Sequence, residues 1–225
     1  MIEKKDLAEL LEKQSLLKQD VYEVAKETFA KMKTFLSKEI DEFRTLIPNE
    51  RVRLNVIEKG DFEIQAFVGS DLLVFHMHTN VFSFPKEHGI WKTSYAEDDP
   101  SRAYCGIINI YNFLADSFLQ DRLNDSGYLI GRIFVNKDNH FFIEGQGHLG
   151  TQFRDFINGE LNEERFCQII RYSIQHSVNF DLLTPPYNIV NYVSVGDMKM
   201  MSSSLNLKTA KRLGFRFSNE NDEII

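Results

Sequence analysis

Residues 51–79 read RVRLNVIEKGDFEIQAFVGSDLLVFHMHT, and the fold class follows from them. Val52, Leu54 and Val56 alternate with Arg51, Arg53 and Asn55, and Phe62, Ile64, Ala66 and Val68 alternate with Glu63 and Gln65. A period of two sends alternate side chains to opposite faces of a strand, so one face is apolar and buried. Glu58-Lys59-Gly60-Asp61 and Gly69-Ser70-Asp71 are turn chemistry, with glycine free to take positive φ. The stretch predicts three antiparallel strands joined by two tight turns. In the third strand Leu73, Phe75 and Met77 make the core face, which leaves His76 and His78 together on the other.

Upstream, residues 4–46 contain neither proline nor glycine and carry helical periodicity. Leu7, Leu10, Gln14, Leu17, Val21 and Val24 step by three and four, a heptad that favours a left-handed seam with another helix, Gln14 being its polar member. From Ala25 through Phe29, Met32, Leu36, Ile40, Phe43 and Ile47 the period lengthens to that of a straight helix lying on a surface. The second half is therefore expected to pack on the sheet. The first half is expected to pair with another helix, with a homo-oligomer through Leu7, Leu10, Leu17, Val21 and Val24 as one partner reading. One bent amphipathic helix, or a helical hairpin, packed on its own sheet is the alternative. Pro48 ends the segment, because proline disfavours helix in the residue before it.

Downstream, Asp99-Pro100 has the form of an N-cap followed by proline at the first helical position. Ala103, Ile107, Ile110, Tyr111, Leu114 and Phe118 continue at helical spacing, which predicts a helix over 100–123. Gly106 and the β-branched content make a strand over 103–111 the competitor. Residues 128–135 and 140–144 predict a hairpin around Asn136-Lys137-Asp138-Asn139, joined to the same sheet. Residues 160–179 predict a helix with Leu161, Phe166, Ile169, Ile170, Ile174 and Val178 on one face. Short helices are expected over 187–193, 195–203 and 207–213, and a last short strand at Phe215-Arg216-Phe217. The expected fold class is α+β. It comprises a single, mostly antiparallel sheet of about five to six strands packed by helices. A helical arm over 1–47 precedes an α+β core over 48–225, one domain overall.

Composition narrows the function classes. The 225 residues are 43% hydrophobic and 26% charged, ordinary for a globular chain. A formal net charge of −7 opposes general nucleic-acid binding, which rests on a basic footprint. The first residues, Met-Ile-Glu-Lys-Lys-Asp, lack an apolar leader core, so a cytoplasmic chain with two reduced thiols, Cys105 and Cys167, is expected. No apolar run reaches the ~18 residues of a membrane helix.

Four patterns bear on chemistry. His76-x-His78 presents two imidazoles from one strand face, the arrangement of a β-scaffold metal site, with His88, Glu87, Glu144 or His148 available as third ligand. Two histidines on the wetter face is the plainer reading. Residues 145–150, GQGHLG, match G-x-G-x-x-G after a strand, and Gly145, Gly147, His148 and Gly150 would cradle a phosphate there. The preceding strand, however, is the second arm of a hairpin, and a simple turn explains three glycines as well. Cys105 near a helix N-terminus would be an activated thiol, with His88 and Asp98 as its partners; the competing reading is a buried cysteine. The loop over 84–104 brings Trp91, Lys92, His88 and Arg102 together as ligand-binding candidates, against a packed loop with Trp91 plugging the core edge.

A basic cluster, Lys208, Lys211, Arg212 and Arg216, is chiefly a solvated helix face. No motif specifies a cofactor. The reading that follows is a cytoplasmic, non-enzymatic ligand-binding or protein-interaction module. A metal- or thiol-dependent hydrolase and a phosphate or nucleotide binder are its alternatives.

Overall fold

The computed structural model describes residues 2–123, 125–180, 186–192 and 194–196. The expected helices over 195–203 and 207–213, the strand at 215–217 and the basic cluster at 208–216 lie wholly or largely outside the described residues. The fold class is α+β, with one antiparallel sheet and a long N-terminal helix, α1 (Lys4–Leu46). Among the described residues the sheet has seven strands: β1 (Leu54–Glu58), β2 (Glu63–Val68), β3 (Asp71–Met77), β4 (Phe82–Ser83), β5 (Tyr104–Leu114), β6 (Tyr128–Asn136) and β7 (Phe141–Gly145). The order is β1-β2-β3-β5-β6-β7, with β4 pairing beside β5.

The meander forms as its alternation dictates. Gly60 and Gly69 take positive φ in its two turns. Its first strand begins later than expected, because Val52 sits in a turn closed by its own N–H to the Asn49 carbonyl and is exposed. The second hairpin also forms, its turn carrying Asn139 at positive φ.

The helix expected over 100–123 is a strand. Asp99 does cap and Pro100 does open a helix, but only the single 3-10 turn Pro100–Ala103. β5 then runs through Leu114, and a short helix, α3 (Ala115–Leu119), follows. The spacing misleads because β5 is central and buried on both faces. Ile108 and Ile110 face one side, Cys105 and Ile107 the other, so the run reads as almost continuously apolar. Pairing with both β3 and β6, set against β-branched side chains, overrides the helical period.

Three helices cover one face: α1, α4 (Gly147–Gln152) and α5 (Glu163–Val178). Between them and the sheet lies the main core, built from Phe29, Met32, Leu36 and Ile40 of α1, Ile64, Phe75, Ile108 and Ile133 of the sheet, and Phe166, Ile169 and Ile170 of α5. Val178, expected on the inner face of α5, is exposed at its end. Gly106 lies under α1 at Ala25; a Cβ there would run into the Ala25 methyl, so this glycine sets how closely the helix lies on β5.

The outer face carries two smaller cores, one near each end of β5. At the first, the loop before β5 folds down as a 3-10 turn (Gly89–Lys92) and α2 (Ser94–Asp98), burying Ile90, Ala96, Cys105, Ile107, Phe134 and Phe156. At the second, Phe67, Leu72, Val74 and Ala115 pack with Tyr111 and Phe113.

Candidate functional site

The loop over 84–104 is the lid of the first outer core. Trp91 packs on that core and donates its indole N–H to the Phe84 carbonyl at 3.1 Å. His88 stacks on Phe84 at 4.6 Å, and its Nδ1 accepts the Ile90 N–H at 3.3 Å. Both rings therefore hold the loop, while Lys92 and Asp98 point to solvent. Arg102 docks the loop onto the β6–β7 turn. Its Nε donates to Asp138 at 3.1 Å, and its guanidinium lies 4.4 Å from the centre of the Tyr95 ring. The Tyr95 hydroxyl donates to Asp138 at 3.0 Å and accepts from Asn136 at 3.0 Å. Burial, offset in part by the Asn136 bond, pushes that phenol up to about 12. Asp99 accepts from Lys137 at 2.8 Å and from Ser101, which holds its carboxyl well below the usual range.

His140 stacks on Tyr95 at 4.9 Å, and its Nδ1 donates to the Phe156 carbonyl at 3.1 Å. A cleft of about 380 Å³ opens beside it, lined by Asn158, Glu160, Asn162 and Arg165. Asn162 spends its side-chain oxygen capping α5, and Arg165 bonds Gln168.

The expected Cys105 chemistry rested on a helix N-terminus that does not exist. Cys105 lies inside β5, wholly buried in the first outer core, and burial pushes its thiol up. Cys167, partly buried on α5, is raised by burial and then by Glu39. Neither environment makes a thiolate.

β3 places His76 on the outer face, as its alternation requires: Leu73, Phe75 and Met77 enter the main core; His78 lies one residue past the end of the strand, edge-on to Phe82 at 4.7 Å. His148 sits on the helix side, stacked on Tyr172 of α5 at 5.1 Å, so it does not join them. Glu144 does share a cross-strand row with His76, but three strands away, about 14 Å at a strand spacing of ~4.8 Å. Among the described residues no three His, Cys, Asp or Glu side chains converge as a metal set.

The row itself escapes a reading by linear motif. Register aligns Glu63, His76, Asn109, Arg132 and Glu144 across β2, β3, β5, β6 and β7. Arg132 bonds Glu144 at 2.7 Å, and its Nε is buried with no hydrogen-bond partner among the described residues. The signal within each strand is one polar residue on the outward phase of an apolar run, Asn109 in β5 and Arg132 in β6. Only pairing brings them side by side.

The glycines of 145–150 serve packing. A Cβ on Gly145 would come within 2.9 Å of the Ile130 carbonyl, and one on Gly150 would collide with the Gly145 carbonyl. Gly147 takes positive φ to enter α4, which is only six residues long.

The second half of α1 packs on the sheet as its period predicts, but the packed part begins earlier than expected: Val21, placed in the first-half seam, is fully buried, and Val24 packs against the main core, so neither is free for a second helix. Val21, Ala25, Phe29, Met32, Leu36 and Ile40 are buried. The same face continues toward the N-terminus as Leu7, Leu10, Leu11, Gln14 and Leu17, where Leu7, Leu10 and Leu11 are 54%, 55% and 66% exposed. Among the described residues no helix is long and apolar enough to cross a membrane. The chain matches no family model, no curated protein and no solved structure.

Proposed function

We propose that this chain is a non-enzymatic interaction protein that assembles with a second copy through the part of α1 that runs past the sheet. The observation that carries this reading is the exposure of Leu7, Leu10 and Leu11 on the face that, from Val21 on, is the buried face of the same helix. Residues 4–20 give the overhang a length of roughly 25 Å, enough for two heptads. A stripe of leucines left in water costs stability unless a partner covers it, and large exposed apolar stripes mark interaction sites. Gln14 fits this role as the polar seam residue that fixes register at some cost in affinity. A seam this short gives a small interface, so exchange between monomer and assembly should be rapid.

The hydrolase alternative gains no support from two buried or half-buried thiols and separated histidines. The test is the mass of the full chain in solution across a concentration series, beside Leu10→Glu/Leu11→Glu. The expected result is a concentration-dependent rise above 26.2 kDa that the double variant abolishes while remaining folded. A full chain that stays monomeric throughout overturns the reading.

A further inference from the structure

We propose that the strip of the sheet's outer face left between the two outer cores by the described residues binds a neutral oligosaccharide, with the half-buried Asn109, His76 and Arg132 as its central contacts. The strip lies between the two outer cores: Ile107 and Phe134 belong to one, Val74 and Tyr111 to the other. Its floor is the row Glu63, His76, Asn109, Arg132, Glu144. Five strands at ~4.8 Å give an open track of about 19 Å between its end residues.

The chemistry of the row selects the ligand class. Acceptors stand at both ends, Glu63 and Glu144; a guanidinium stands beside one of them; His76 and Asn109, each able to donate and accept, fill the middle. Sugar hydroxyls need both roles at once. Vicinal hydroxyls match a carboxylate and an arginine side by side, as Glu144 and Arg132 lie at 2.7 Å. A sugar unit also advances along its chain by about as much as one strand does across the sheet, so successive units meet successive strands. Tyr111, half-buried on the bank beside Asn109, supplies an aromatic surface for a pyranose ring.

Competing ligands fit less well. An anion would meet two carboxylates in the row and a chain of net charge −7. A metal ion would need three convergent ligands, which strand spacing denies it. The outward side chains come from five strands of a rigid sheet, so the track is preformed and binding requires no folding step.

The test is titration calorimetry of the full chain with cellohexaose, maltohexaose and chitohexaose, with inorganic phosphate and citrate as anionic probes. One saccharide is expected to bind, with Asn109→Ala and His76→Ala each lowering its affinity about tenfold, the loss of one or two hydrogen bonds. Lys92→Ala, at an exposed position of the loop lid outside the cross-strand row, is expected to leave it unchanged. Amide shift mapping on the unaltered chain guards against variants that fail to fold: perturbations should centre on residues 63, 76, 109 and 132. Heat from phosphate or citrate alone, no heat from any saccharide, or shifts centred elsewhere would each overturn the proposal.

Discussion

Arg171 of α5 reaches α1 and grips Glu39 with two parallel bonds, Nε to Oε2 at 2.7 Å and Nη2 to Oε1 at 2.8 Å. The pair is lopsided: the Glu39 side chain is 3% exposed and that of Arg171 57%. A carboxylate so placed depends on its partner, because removing the guanidinium strands a buried charge. Arg171→Ala should therefore cost about 2 kcal/mol, below the usual figure for a fully buried pair because the arginine stays wet. Glu39→Gln should cost less, since it keeps an acceptor and removes the charge. Urea unfolding of the two variants checks the order; equal costs would show that the charge is not what matters.

Gly106 and Ala25 fix the seat of α1 on β5. A methyl at 106 has nowhere to go but into Ala25. Gly106→Ala should destabilise by about 2 kcal/mol through overpacking. Gly106→Ala combined with Ala25→Gly should recover part of that loss, beyond the sum of the two single changes. A double-mutant cycle by thermal melting reads it directly, and strict additivity would refute the contact.

Asn112 is 1% exposed in the cross-strand row Leu73–Asn112–Tyr128, and among the described residues neither its Nδ2 nor its Oδ1 has a hydrogen-bond partner. Buried amides without hydrogen bonds are destabilising by about 1–3 kcal/mol. Asn112→Leu, close in size, should raise the unfolding free energy by about 1 kcal/mol. Differential scanning calorimetry measures this, and a lowered midpoint would mean that the amide is needed.

Acid should loosen the loop lid first. Asp99 has its carboxyl depressed by Lys137 and then by Ser101. A group whose folded pKa lies below its unfolded value of 3.8 stabilises the fold above that value, and the contribution fades as pH falls through the folded one. The wild type should therefore lose stability below about pH 4 through this site, and Asp99→Asn should flatten that part of the profile while being less stable at neutral pH. Trp91 fluorescence against pH reports the lid; identical profiles for the two proteins would rule the pair out as a determinant.

Much of the fold was readable because much of it is local. Alternation in residues 51–79, with glycine at 60 and 69, is enough to specify a meander. The longer period from Ala25 to Ile40 anticipated the half of α1 that is buried, but burial starts at Val21, so the change of period near Val24 misplaced the boundary. β5 failed the same treatment: a strand covered on both faces loses its alternation, and what remained of its spacing mimicked a helix. The loop over 84–104 held its residues in plain view, yet whether Trp91 faced a ligand or a core depended on Phe84, Phe134 and Phe142, far apart in the chain.

The amino-acid order alone thus determined the class of fold, the face of β3 that carries His76 and the packing of the second half of α1 on the sheet, since each depends on periodicity within one segment. Tertiary structure alone decided the rest. Strand pairing lined up Glu63, His76, Asn109, Arg132 and Glu144, the loop lid buried Cys105, and the close approach of α4 to β7 required glycine at 145 and 150. The reason is physical: register and burial are set by partners distant in sequence, and no single stretch carries both sides of a contact.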